Sequence, residues 1–139
     1  MGAIGAKLLR AWLMFQGIYI DLIVLGVANI LAPGLTLPGL KVSRDIFPGI
    51  ASDSLESRLV SWGFLLHGFV RIGVGIYGAS NRPLALIGAS SMFLEATMLG
   101  YEVAVTGASK DPMPAMISAV LGVLVLYSFC LGEGKKKTR

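Results

Sequence analysis

Long apolar runs separated by short polar breaks occupy most of the chain. The first extends from about Ala11 to Ala32, is interrupted once by Asp21, and is closed by Pro33-Gly34. The second runs from about Leu59 to Ala79, the third from about Leu84 to Val105, and the fourth from about Met113 to Leu131. A helix crossing the bilayer needs roughly 20 mostly apolar residues, so each run is long enough for one crossing. Residues 1–139 are therefore expected to form one integral membrane domain: an all-α, up-down bundle of four transmembrane helices.

The breaks differ in character. Residues 33–58 form the long connection. Its first part, Pro33 to Leu40, is apolar but punctuated by turn formers and is expected at the membrane interface. Its second part holds Lys41, Arg44, Asp45, Asp53 and Glu56 and must be solvated. Asp53 or Ser54 is placed to cap the second helix. Ser80-Asn81-Arg82-Pro83 and the stretch from Gly107 to Pro112 are short polar turns, and 132–139 is a basic tail. An even number of spans puts both termini on one side. That side carries Lys7, Arg10, Arg82, Lys135, Lys136, Lys137 and Arg139, against Lys41, Arg44, Arg58 and Lys110 on the other. The bias predicts both termini in the cytosol, or on the matrix or stromal side of an organelle membrane.

Composition sharpens this picture. Of 139 residues, 55% are apolar and only 14% charged, about half the charged share of a soluble domain. The mean hydropathy is +0.75. The net charge of +4 comes largely from the tail, and aromatics do not interleave with basic residues as a nucleic-acid face requires. One cysteine, Cys130, excludes an intrachain disulfide and reads as a small buried residue. With a single histidine beside it, no structural zinc site or bis-histidine haem can form. Lys7 and Arg10 lead into a run too long for a signal-peptide core, so no cleavable signal is expected. Ala6 stands where a myristoylation site needs Ser or Thr. No cofactor, metal or soluble substrate is indicated; other integral membrane proteins and lipids are the expected partners.

Five ionisable residues interrupt the spans: Asp21, His67, Arg71, Glu95 and Glu102. Measured from the cytosolic ends at 1.5 Å per residue, Arg71 lies roughly 12 Å deep, Asp21 roughly 15 Å, and His67 and Glu95 roughly 18 Å. Three helices thus bring charge to one central layer, with Arg71 expected to pair with Asp21 or Glu95 and His67 hydrogen-bonded nearby. Such residues are costly in lipid unless paired or hydrated. Two readings compete: a proton, ion or redox pathway, or a buried polar lock that fixes helix register. The chain has no Glu-x-x-His motif, no interrupted helix pair and no internal repeat, which favours the lock. Small residues four apart (Gly75 and Ala79, Ala85 and Ala89, Ala96 and Gly100, Ser118 and Gly122) predict close helix packing. Trp12, Trp62 and Tyr77 near the span ends fit an aromatic belt.

The order of residues resembles the Erg28 family, small four-span proteins of sterol-synthesising eukaryotes. Leu9-Arg10-Ala11-Trp12-Leu13-Met14 is similar to that family's first-span opening. Arg58, Trp62 and Val70-Arg71 follow the spacing of its second span, and Tyr77 and Asn81 fit with a shift of one or two residues. Glu102, followed by Thr106-Gly107-Ala108, falls where the family has the glutamate of a His-Phe-x-Ser-Glu motif, although Leu99-Gly100-Tyr101 precedes it here. Met113-Pro114-Ala115-Met116 and the basic tail complete the likeness over nearly the whole chain. Asp21 and Glu95 do not come from the family.

The resemblance implies a non-catalytic scaffold of the endoplasmic reticulum membrane. That scaffold would tether the methyl oxidase, decarboxylating dehydrogenase and keto-reductase of sterol C-4 demethylation. Lys136 and Lys137 look like a dilysine retrieval signal, read only from the cytosol; an ordinary topology-setting tail is the other reading. The alternative function is an accessory subunit of a respiratory, photosynthetic or ATP-synthase complex in the mitochondrial inner membrane or a plastid membrane. A small transporter or channel using Asp21, Arg71 and Glu95 is a third class.

Overall fold

The computed structural model describes residues 3–33, 47, 49–107 and 111–131. Lys41, Arg44, Asp45, Lys110, Ala108 and the tail with Lys135, Lys136, Lys137 and Arg139 lie outside them. Among the described residues, four helices are long and apolar enough to cross a membrane: α1 (Ile4–Leu31), α2 (Leu55–Tyr77), α3 (Arg82–Thr106) and α4 (Met113–Leu131). At 1.5 Å per residue even α4, with 19 residues, spans about 28 Å, close to the hydrocarbon thickness.

Local chemistry sets the helix ends. Ser54 accepts a hydrogen bond from the Ser57 amide at 3.1 Å and caps α2. Asn81 Oδ1 accepts from the Leu84 amide at 3.0 Å, and Pro83 in the first turn needs no amide partner there. Asp111 Oδ1 accepts from the Met113 amide at 2.9 Å at the start of α4. Gly107 ends α3 with φ of 68°, a left-handed conformation that glycine adopts without steric cost. Two boundaries differ from expectation. Helix α1 is already formed at Ile4 rather than beginning near Ala11, so Lys7 and Arg10 are carried on the helix. Helix α2 starts at Leu55 rather than near Leu59, so Arg58 sits in its first turn and not in the loop.

The pairings run antiparallel. Along α1 and α2, Met14 meets Gly75, Gly17 meets Gly68 and Leu65 meets Gly26. Along α2 and α3, Val74 meets Gly88 and Arg71 meets Glu95. Along α3 and α4, Phe93 meets Gly122 and Glu95 meets Ser118. The α1–α2 and α3–α4 pairs are the most extensive. Helices α1 and α4 leave an open apolar groove of about 720 Å³ between Leu8, Trp12, Met113, Ile117 and Leu121.

Two apolar clusters fill the interior. One, toward the termini, includes Leu9, Leu13, Val74, Ala89, Met92, Val125 and Phe129. The other, toward the loops, is built on Val24, Leu25, Phe47, Phe64 and Leu99. Outward-facing side chains are also apolar, among them Leu8, Phe15, Leu66, Phe69, Leu94 and Val120. An apolar interior and an apolar exterior together suit a lipid solvent.

Candidate functional site: the intramembrane polar layer

In each helix a polar residue separates the two clusters: Asp21 in α1, Arg71 in α2, Glu95 in α3 and Ser118 in α4. All four are buried, with exposures of 1%, 3%, 5% and 4%. Arg71 lies at the centre. Its Nη1 donates to Asp21 Oδ2 and its Nη2 to Glu95 Oε2. The guanidinium is a rigid fork whose donors serve carboxylates on two different helices at once. Ser118 Oγ donates to Glu95 Oε2 at 2.8 Å, so α4, which carries no charge in its apolar run, is tied to the layer through a hydroxyl.

Backbone geometry allows this reach. Around Gly17 and Gly68 the helices touch so closely that an added Cβ at Gly17 would stand 2.9 Å from the Gly68 carbonyl, and the reverse holds equally. Asp21 lies one turn beyond Gly17, and Arg71 three residues beyond Gly68. The stretch Gln16–Ala28 is also wound as a π-helix, wider than the α-helix around it, and carries Asp21 on its inner side.

His67 lies beside the layer, half-shielded. Its Nδ1 is 3.1 Å from Ser91 Oγ and 3.9 Å from Glu95 Oε2. A cavity of about 120 Å³ borders the layer and extends past Gln16 to Asp111 in the α3–α4 turn. Arg71 Nε and Gln16 Oε1 are buried without a partner among the described residues. The space is lined in part by polar groups, Gln16, Asp21, Arg71, Glu95 and Ser118 among them, and is large enough for water to satisfy them.

A second polar contact lies nearer the loops. Asn29 Nδ2 donates to Ser57 Oγ at 3.0 Å and to Ser61 Oγ at 2.6 Å, joining α1 to α2. Both it and Ser118 escape a reading of the sequence that follows charges.

The other singled-out residues are dispersed. Trp12, Trp62 and Tyr77 are exposed on the outer surface. Arg58 donates to the Asp53 carbonyl at 2.7 Å, and Asn81 caps α3. Glu102 accepts from Thr106 one turn on, at 2.5 Å, away from the layer. Lys136 and Lys137 lie outside the described residues. Among the small-residue pairs, Ala85, Ala89, Gly75, Ser118 and Gly122 are buried, whereas a Cβ on Gly100 would meet nothing within 4 Å. No group of three or more His, Cys, Asp or Glu suited to a metal ion occurs among the described residues.

Comparison with protein-family models, with curated proteins and with solved structures returns no match for this chain.

Proposed function

We propose that this protein is a non-catalytic membrane scaffold, a bundle whose outer helix faces hold other integral membrane proteins in one assembly. The observation that carries this reading is how the layer is satisfied. Both terminal nitrogens of Arg71 are engaged by carboxylates of neighbouring helices, and Glu95 is further held by Ser118. Helices in lipid have no hydrophobic drive to associate, so internal ion pairs and hydrogen bonds supply cohesion and register. The terminus-facing cluster of Leu9, Leu13, Val74 and Val125 also stacks apolar side chains over the layer, which disfavours a through-pathway.

The excess of lysine and arginine on the side of the termini supports placing both termini in the cytosol. The likeness to Erg28 proteins supports the endoplasmic reticulum as the membrane and the enzymes of sterol C-4 demethylation as the partners. A tagged chain purified from its native membrane in mild detergent should bring down those enzymes. Recovery of respiratory, photosynthetic or ATP-synthase subunits in their place would overturn the assignment and favour the organelle complex.

A further inference from the structure

Between α2 and α3, on the loop side of the layer, lies a groove of about 320 Å³. Its walls are apolar (Leu59, Val60, Gly63, Phe64 and Met98), and its polar lining consists of His67 and Glu95. The volume lies in the range of small-molecule sites, which pair apolar walls with a few placed polar groups. The ion layer does not use this groove: Glu95 is already held by Arg71 and Ser118.

His67 gives the groove its chemistry. Its Nδ1 faces Ser91 Oγ at 3.1 Å and the Glu95 carboxylate at 3.9 Å. The carboxylate's field favours the ring hydrogen on Nδ1, which makes Nε2 the acceptor. Nε2 has no hydrogen-bond partner among the described residues. An acceptor on a residue that lines an apolar groove selects a donor that reaches it through hydrocarbon. A charged head would be too costly to bring to this depth. We propose that the α2–α3 groove is a binding site for a neutral, lipid-soluble alcohol whose hydroxyl donates to His67 Nε2.

His67 is the chain's single histidine, so histidine labelled with ¹³C and ¹⁵N gives one imidazole signal set. The protein is reconstituted in phosphatidylcholine nanodiscs and titrated with farnesol, and in parallel with farnesyl methyl ether, which keeps the chain but lacks the donor. Farnesol should move the His67 Nε2 signal saturably. The ether should bind about three- to tenfold more weakly, the worth of one neutral hydrogen bond. Gly63→Leu should abolish the shift by filling the groove; a Cβ there meets nothing within 4 Å, so the helix accommodates it. Met98→Trp blocks the groove from the α3 side and should act alike if Gly63→Leu fails to fold. A shift that rises linearly without saturating, that is equal for alcohol and ether, or that survives both blocking variants would overturn the proposal and leave the groove to bulk acyl chains.

Discussion

Replacing Arg71 by leucine removes the cation shared by two buried carboxylates. Asp21 and Glu95 are 1% and 5% exposed, so each stays shielded from bulk water when its partner is lost. Glu95 keeps Ser118 and the neighbourhood of His67; Asp21 keeps neither. Breaking a buried ion pair by removing one partner costs about 3–5 kcal/mol, because the remaining charge is buried without compensation. The folding constant of Arg71→Leu should therefore drop by roughly two to nearly four powers of ten. Replacing the whole triad with apolar residues (Asp21→Leu, Arg71→Met and Glu95→Met together) leaves no orphan charge and should restore stability to within about 1–2 kcal/mol of the parent. The assay is equilibrium unfolding in mixed micelles with increasing SDS, followed by circular dichroism at equal protein concentration. A loss below 1 kcal/mol for Arg71→Leu would refute the reasoning, as would a triple variant no better than the single one.

Three further outcomes follow from the packing. Ser118→Ala removes a hydroxyl that donates to a carboxylate and should cost about 1–3 kcal/mol in the same assay, less than Arg71→Leu. Gly17→Ala pushes a methyl against the Gly68 carbonyl and should destabilise by about 1–3 kcal/mol, whereas Gly100→Ala, with open space around it, should be neutral or gain up to about 1 kcal/mol from helix propensity. Cys130, 7% exposed among Phe129 and its neighbours, should resist a polar maleimide in folded protein and react once SDS opens the bundle.

The parts of this architecture that follow from hydropathy were legible in the sequence. The four runs become four helices, and the cap expected at Asp53 or Ser54 falls on Ser54. Asp21, Arg71 and Glu95 stand out in apolar surroundings because charge in lipid demands a partner, and their similar depths point to one layer. Arg71 engages both carboxylates rather than one. Hydroxyls and single glycines carry no such signal. Ser118 and Ser61 look like ordinary small residues, and Ser57 reads as loop when α2 is started at Leu59. Gly17 and Gly68 belong to different helices, so a search for small residues four apart within one helix passes over their contact. The wide winding of Gln16–Ala28 leaves hydropathy unchanged and is invisible to it.

On the proposed function, the buried layer is a lock that holds the helices, and the outer surface does the protein's work. The triple apolar variant separates the two. Expressed in place of the parent chain and purified with a tag from native membrane, it should capture the same integral membrane proteins in the same proportions by quantitative mass spectrometry. A variant that is folded by circular dichroism and SDS titration, yet recovers none of them, would contradict the claim and assign the work to Asp21, Arg71 and Glu95 themselves.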